Sequence, residues 1–325
     1  MATNARSASK PRIVKLGTRE VEFPSPYLQE LKDSNHLLGD VELLRQEFHN
    51  QGYLFIRGLH SREDVLDARL AVLQYIRDLG EDKLSTEYPL EDGVLNPRCG
   101  KGCVPFMEGK NNITHSDPVR KVIEGRRPFQ FFKTLIGAEP KTFDFKWLRA
   151  IHREGYTGVH TDYVYMSRGT HQLYTMWTPI GDVTLEMGTL CVCEGSHRLP
   201  GFKHFQETYG SCDIEKANLV GTGWFTNDPY EITSKFGGQW KTADFKAGDV
   251  LIFGLRTVHM STVNTTHFAR ISCDTRWQAA HLDFDPRYVG DIGEVDVKYG
   301  LYTEDNKKIQ GIVTMEKLKS MWGFN

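Results

Sequence analysis

Apolar residues follow two different spacings along this chain, one before residue 137 and the other after residue 143. In the first part they recur three and four residues apart, which is typical of amphipathic helices. Helices are predicted over 38–48, 61–78, 117–124 and 127–136. Ser61 is a suitable N-cap for the second helix, with Asp64 three residues later. The segment Tyr53-Leu54-Phe55-Ile56 predicts a short strand between the first two helices.

Beyond residue 143, short segments rich in β-formers are separated by glycine and polar turns. Strands are predicted over 143–150, 159–166, 172–179, 183–193, 239–245, 249–254 and 268–277. This order favours a sandwich or barrel over alternating β-α-β units. Two stretches interrupt the pattern, a Gly-, Pro- and charge-rich loop over 80–112 and an insertion over 199–236. Such long loops in a compact domain usually act as lids or binding loops.

These segments together predict a single domain over residues 26–325, preceded by a flexible tail over 1–25. Its helical part spans 38–136, its β core spans about 143–280, and a C-terminal extension with a helix over 314–321 spans 281–325.

Composition narrows the classes of partner. The chain has 325 residues, 39% of them hydrophobic and 11% aromatic, which suffices for a substantial core. The formal net charge is −2 with acids and bases interspersed, so neither nucleic acid nor an anionic membrane is an expected partner. The apolar runs are too short to cross a bilayer, and the first residues do not resemble a signal peptide. We expect a cytoplasmic monomer or homodimer that binds a small molecule.

The six cysteines offer one further possibility. Cys99 and Cys103 lie four residues apart in a Gly-rich loop, a spacing that suggests a thiolate zinc site. No Cys/His pair follows at the spacing of a zinc finger, which argues against it. Cys191 and Cys193 share a strand face and are expected to be small buried apolar groups.

The candidate chemistry rests on three residues, His160, Asp162 and His259. Residues two apart in a strand project from the same face, so His160 and Asp162 could bind one metal ion together. A second histidine from a distant strand would complete three ligands on one side of the ion. Two histidines and one carboxylate with open positions opposite suit non-haem Fe(II), with room for oxygen and an organic co-substrate. A His-x-Asp triplet alone is common by chance and is weak support.

The segment 270–277 adds to this hypothesis. Strict alternation places Arg270, Ser272, Asp274 and Arg276 on one face of the predicted strand. That face either meets solvent or lines a site, and the nearby His259 favours the second interpretation. Arg270 would offer a fixed fork to a carboxylate of the co-substrate. Arg276, roughly 20 Å further along the strand, is too distant to share that carboxylate. It would pair with Asp274 or near Asp162, anchor an anionic substrate group, or form a solvent-facing ion pair.

These residues resemble the motifs of the phytanoyl-CoA dioxygenase family. The motifs occur in the family's order: His160-x-Asp162, Trp177-Thr178-Pro179, Gly188-Thr189-Leu190, Gly195-Ser196-His197, Gly248-Asp249, His259 and Arg270. The strand over 52–58 and the following helix look like the family's opening, and the resemblance spans about 38–280. It implies a mainly β fold with flanking helices, a double-stranded β-helix (jelly-roll, cupin-like barrel).

The resemblance also implies cofactors and residue roles. The cofactors are Fe(II), 2-oxoglutarate and O2, with iron held by His160, Asp162 and His259. Residues implied to bind 2-oxoglutarate are Arg270, Ser272, Trp177 and Tyr165, although in a straight strand Tyr165 would face away from His160. Residues expected to contact the substrate are Thr161, Arg276, Phe106 and Met107. His197 is expected to be structural.

The implied activity is oxidation of a small or medium-sized organic molecule, with release of succinate and CO2, in secondary metabolism. Halogenating members of the family carry a small residue in place of Asp162, so this carboxylate favours hydroxylation, with desaturation, epoxidation or cyclisation also possible. Nothing in the chain resembles a coenzyme A site. The alternatives are a zinc-dependent hydrolase, which has no need of Arg270 or Ser272, and a cupin-like isomerase or non-catalytic binding barrel.

Overall fold

A computed structural model describes residues 11–109, 111–290 and 312–324. Its larger sheet contains seven strands, all antiparallel to their neighbours. In sheet order these are β4 (Tyr53–Ile56), β11 (Val250–Gly254), β8 (Tyr174–Pro179), β13 (Arg270–Ala279), β7 (Lys146–Ile151) and β5 (Phe106–Gly109), with β6 (Pro140–Thr142) paired to β13.

A smaller sheet faces the first one across an apolar core. Its order is β12 (His259–Ser261), β9 (Leu190–Glu194), β10 (Gln239–Thr242) and β3 (Leu28–Glu30), and only the β10–β3 pair is parallel. Phe55, Trp177 and Phe253 of the larger sheet pack with Leu190 and Val192 of the smaller one. Among the described residues the sheets stay open at their edges. This architecture confirms the predicted mainly β class with flanking helices.

The outer face of the larger sheet is covered by α1 (Val41–Gln51), α2 (Arg62–Asp78), α3 (Asp117–Ile123) and α4 (Arg126–Ile136). The helices α5 (Lys203–Glu207), α6 (Pro229–Phe236) and α7 (Met315–Met321) pack instead against Cys193 and Trp240 of the smaller sheet. The Ser61 side chain accepts from the Asp64 amide, as the predicted N-cap of α2 requires. Ile271 and Cys273 of β13 pack against α2 and α3, and Trp277 stacks on Phe132 of α4. The apolar face of β13 is therefore under helices, as predicted.

The prediction of a flexible tail is wrong for the part of it that the structure describes. Within the predicted tail, β1 (Arg12–Leu16) and β2 (Arg19–Phe23) form an antiparallel hairpin whose Val14 and Val21 are buried, because they pack into the core beneath the smaller sheet. Residues 1–10 lie outside the described part of the chain. In the loop over 80–112, Cys99 and Cys103 form a disulfide, so they are not a thiolate pair for zinc. Cys191 and Cys193 are buried, as expected.

The predicted strand over 159–166 is also wrong. His160 belongs to an isolated bridge with His259, and Asp162–Val164 forms a 3-10 turn. We attribute the end of regular strand geometry to tertiary packing, because Trp224 and Asn227 of the insertion lie against Gly158 just before the turn. A Cβ at Gly158 would lie 2.5 Å from Trp224 Cε3 and 2.6 Å from Asn227 Oδ1.

Other predicted elements change only in extent. The predicted strand over 183–193 is regular only at Leu190–Glu194.

Across the described segments, every helix is too short or too polar to span a bilayer.

Candidate metal centre and adjoining cavity

Backbone pairing brings the two candidate histidines side by side. The His160 amide donates to the His259 carbonyl at 3.0 Å, and the His259 amide donates to the His160 carbonyl at 2.9 Å. Their ring centres are 4.1 Å apart. Asp162 opens the 3-10 turn two residues later, so its carboxylate reaches the same point by a bend instead of along a strand face. One ligand atom from each of the three side chains lies within 4.8 Å of the other two.

Hydrogen bonds to the backbone orient both imidazoles. His160 Nδ1 lies 2.8 Å from the Gly158 carbonyl oxygen, and His259 Nδ1 lies 3.0 Å from that of Thr257. Each Nδ1 therefore donates, which leaves the Nε2 lone pair facing the centre, the tautomer that binds a metal. The two Nε2 atoms are 4.0 Å and 3.8 Å from Asp162 Oδ1. These separations do not exceed twice a metal–ligand distance of about 2.0–2.2 Å, so one ion fits between them.

Burial keeps the imidazoles neutral. Together with a smaller effect of the neighbouring His259, it lowers the pKa of His160 to about 3. The pKa of His259 is also lowered, chiefly by burial. Neutral imidazoles are ready to coordinate a cation without first losing a proton.

Asp162 is held from one side only. Its Oδ2 accepts a hydrogen bond from Thr175 Oγ1 at 2.5 Å and pairs with Arg276 Nη2 at 3.1 Å, which leaves Oδ1 for the imidazole side. Burial by itself would raise the pKa of Asp162, but Arg276 and the two histidines lower it to about 2. Asp162 is therefore an ionised ligand with one free oxygen.

Arg276 therefore forms an ion pair at Asp162, which is one of the alternatives that the sequence left open. Its side chain is 3% exposed, which excludes a solvent-facing ion pair. The guanidinium carbon lies 4.4 Å from the centre of the Trp147 ring, and Nε lies 3.1 Å from Met166 Sδ. Arg276 also lines the adjoining cavity, so a contact with substrate stays a prediction.

Arg270 lies in the same cavity, with a feature that fits a carboxylate ligand. Its Nη1 donates to Ser272 Oγ, and its guanidinium carbon lies 6.0 Å from the centre of the Trp177 ring. Its buried Nε has no hydrogen-bond partner among the described residues. Burial lowers the pKa of Arg270 to about 10, so the side chain remains a cation near neutral pH. A buried cation with an unused donor matches the fork that a co-substrate carboxylate would fill.

The remaining predicted residues divide into two groups. Tyr165 lies beside His160 with ring centres 5.6 Å apart, because the 3-10 turn reverses the direction expected from a straight strand. Its hydroxyl donates to the Thr222 carbonyl at 2.6 Å. Phe106 lines the cavity opening, whereas Thr161 and Met107 are buried outside the cavity lining, so the fold does not bring these two to the cavity.

The cavity has a volume of about 870 Å³ and extends from the metal centre to the surface. We call its buried inner end the floor, formed by His160, Asp162, His259 and the Arg270, Ser272, Asp274 and Arg276 face of β13. We call its outer end the rim, formed by Lys101, Phe106, His152, Arg153, Tyr156 and Trp224. The volume falls within the roughly 300–1,000 Å³ of sites that bind drug-sized ligands.

Sequence reasoning missed several of these residues. Thr175, which fixes Asp162, belongs to a buried strand and gave no signal by itself. Asp274 was placed on the correct face by alternation but received no role in a site. Tyr156 and Trp224 come from loops whose course the sequence did not predict.

Comparison with known proteins adds a family and a fold. The model of one protein family, described as Phytanoyl-CoA dioxygenase (PhyH), matches residues 48–272. No curated protein sequence matches the chain.

Three solved structures show the fold similarity. The non-haem alpha ketoglutarate dependent epimerase SnoN from nogalamycin biosynthesis is 18% identical, with a TM-score of 0.52 over 82% of this chain and 97% of that chain. SnoN in complex with Fe3+, alpha ketoglutarate and nogalamycin RO is 19% identical, with a TM-score of 0.51 over 76% and 87%. The carbocyclase SnoK from the same biosynthesis is 16% identical, with a TM-score of 0.51 over 79% and 90%. At this identity the likeness confirms the predicted fold class alone.

Proposed function

Because the chain belongs to the phytanoyl-CoA dioxygenase family, we propose that it is an Fe(II)/2-oxoglutarate-dependent dioxygenase that hydroxylates a small or medium-sized organic molecule. Family membership makes the chain an oxidoreductase. The observation that carries the proposal is the convergence of His160, Asp162 and His259 within 4.8 Å, beside the buried Arg270 with its unused donor.

Each residue near this centre has a distinct task in the proposed reaction. His160, Asp162 and His259 would hold the iron, and Arg270 with Ser272 would bind the far carboxylate of 2-oxoglutarate. When bound, the iron and 2-oxoglutarate supply the oxidising chemistry, with O2 as oxidant, succinate and CO2 as products, and one oxygen atom inserted into a C–H bond of the substrate.

The chain itself supplies orientation and exclusion of water. Thr175 and Arg276 hold Asp162 Oδ2, so that Oδ1 is presented at a fixed angle. Trp177 lies beside the Arg270 guanidinium and limits the space in which a co-substrate carboxylate can lie. Leu190 and Phe253 line the same end of the cavity and keep water from a hydrogen-bonded carboxylate.

Arg270 bears on the rival functions, and Asp162 bears on the outcome of the oxygenase reaction. A zinc-dependent hydrolase needs the three ligands and a bound water, but no buried cation with an open donor nearby. Arg270 therefore favours the oxygenase. Among oxygenase outcomes we place hydroxylation first, since Asp162 is retained. The alternatives are desaturation, epoxidation, epimerisation and ring closure. The last two are the activities in the descriptions of the structural neighbours SnoN and SnoK.

An anaerobic titration tests the proposal. Fe(II) and 2-oxoglutarate added together should give the weak visible band near ~500 nm that is expected when the co-substrate chelates iron. Arg270→Ala should weaken 2-oxoglutarate binding by about 10–100-fold, because it removes charge-assisted hydrogen bonds. Arg153→Ala, which removes an exposed arginine of the rim, is the matched control and should leave the titration unchanged.

The rival functions predict different results. Tight zinc binding without the visible band, and with no dependence on Arg270, would support the hydrolase. In air, the wild-type protein with its substrate should release succinate, and a substrate screen read out in this way would identify the molecule oxidised.

A further inference from the structure

One carboxylate oxygen on the floor has no partner. Asp274 lies between Ser272 and Arg276 on the cavity face of β13 and is 8% exposed. Its Oδ2 accepts a hydrogen bond from Arg149 Nη1 at 3.3 Å, while its buried Oδ1 has no hydrogen-bond partner among the described residues. A buried carboxylate oxygen without a donor is unfavourable, so a ligand that brings a donor to this atom would gain binding free energy.

Asp274 is close to the reacting centre. It pairs with Trp177 of β8 across the sheet and lines the same cavity as Asp162 and His259. Burial raises the pKa of Asp274, and the nearby Arg149 and Arg276 oppose that effect. A substrate group bound at Oδ1 would therefore place the neighbouring atoms of the substrate next to the metal ligands.

The charges around Asp274 are balanced before any substrate arrives. The guanidinium groups in and beside the floor equal the carboxylates in number: Arg149, Arg270 and Arg276 against Glu108, Asp162 and Asp274. The histidines are neutral, and the two positive charges of Fe(II) match the two negative charges of 2-oxoglutarate. A charged substrate group would lack a counter-ion in this buried place, whereas a neutral donor would leave the balance intact.

The rim supplies flat apolar surfaces for the rest of the molecule. The rings of Tyr156 and Trp224 lie with centres 6.0 Å apart and planes tilted by 35°. Phe106 is 64% exposed at the opening, and the Arg149 guanidinium carbon lies 5.9 Å from its ring centre. Aromatic side chains arranged in this way favour a planar, ring-containing ligand.

We propose that Asp274 is a specificity-determining residue, and that the substrate is an uncharged, ring-containing molecule whose hydroxyl group donates a hydrogen bond to Asp274 Oδ1. The proposal rests on the proposed function, because it assigns the substrate class of that same site. The hydroxyl is a handle for recognition and is distinct from the C–H bond that is oxidised.

The test compares two probes, 2-naphthol and 2-methoxynaphthalene, in which the hydroxyl hydrogen of the first is replaced by a methyl group. Each is titrated calorimetrically into the anaerobic protein loaded with Fe(II) and 2-oxoglutarate. In the wild type, 2-naphthol should bind about 10–100-fold more tightly than its ether, because only the phenol can donate to a charged acceptor. The charged analogues 2-naphthoate and 2-naphthylmethylammonium should bind more weakly than 2-naphthol.

Asp274→Ala should reduce the preference for 2-naphthol to nearly one-fold, and Asp274→Asn should leave an intermediate preference. Arg149 keeps a partner in both variants, since its Nε donates to Glu108 Oε1 at 2.5 Å, so we expect them to fold. Asp67→Ala, an exposed position of α2 outside the cavity lining, is the matched control and should keep the wild-type preference.

The outcomes separate the two proposals. If the wild type fails to form the visible chelate band, the proposed function fails. If the band forms in wild type and in Asp274→Ala, the function stands. The hydroxyl proposal is then overturned by equal binding of the two neutral probes, by a preference that survives Asp274→Ala, or by no binding of either probe up to its solubility.

Discussion

The floor and the rim belong to one cavity but are built differently. Floor side chains such as Asp162 and Arg276 are buried, come largely from paired strands and hold one another through direct bonds. Rim side chains such as Lys101 and Arg153 are exposed and come from loops. Chemistry at a metal needs ligands in fixed positions, whereas selection of a substrate needs surfaces that can vary without loss of the fold. The difference therefore separates the residues that define the reaction class from those that choose the molecule.

The largest expected effect comes from matched arginine substitutions in the two regions. Arg276→Met leaves Asp162 buried without its cation and should lower the free energy of unfolding of the metal-free protein by about 3–5 kcal/mol. Arg153→Met at the rim should change it by no more than about 0.5 kcal/mol. Urea denaturation without metal measures both. Similar effects of the two substitutions would remove the distinction between floor and rim.

A pH series sharpens the comparison through a buried histidine outside the cavity, His60. Burial, with a smaller effect of Arg127, lowers its pKa to about 3 in the folded protein, against an ordinary value of about 6.5. Between these values the unfolded chain binds more protons, so stability is retained above pH 6.5 and falls as the pH drops towards 3. Lowering the pH from 7 to 5 should therefore reduce the free energy of unfolding by about 2 kcal/mol through His60.

His60→Leu should remove that part of the pH dependence, as measured by urea denaturation of the metal-free protein at the two pH values. A variant with the same decline as the wild type would show that burial does not keep this imidazole neutral. The same result would argue against burial as the reason that His160 and His259 of the floor are neutral.

The smallest expected effect is at the rim. Phe106→Ala should change the free energy of unfolding by less than about 0.5 kcal/mol, because the side chain is largely exposed and fills no core space. The matched substitution at a buried lining residue beside the floor, Trp177→Ala, should lower the free energy of unfolding by about 3–5 kcal/mol by leaving a void in the core. A loss above about 2 kcal/mol for Phe106→Ala would mean that the rim is packed as tightly as the floor.

The sequence allowed the floor to be predicted better than the rim. Alternation along 270–277 placed the polar face of β13 correctly, because a strand with one face under helices and the other in a site has a strict period of two. The histidine and aspartate motifs likewise indicated three side chains that do converge. The alternation and the spacing of His160 and Asp162 are local signals, since each joins residues two positions apart, whereas His259 lies far along the chain.

The features that escaped prediction depend on contacts between distant segments. Just before the turn at Asp162, Gly158 packs against Trp224, which lies more than sixty positions later in the chain, and no local pattern encodes such a contact. The N-terminal hairpin is stabilised partly by a bridge between Leu16 and Thr262. Loops such as the one that ends at Phe106 have no period, so their contribution to the rim could not be read from the sequence.

The most direct test of the metal centre is an anaerobic crystal structure of the protein with Fe(II) and 2-oxoglutarate bound. We predict one ion within about 2.0–2.2 Å of His160 Nε2, Asp162 Oδ1 and His259 Nε2. The far carboxylate of 2-oxoglutarate should lie on Arg270 and Ser272. An ion bound elsewhere, or a 2-oxoglutarate carboxylate that makes no contact with Arg270, would contradict this account.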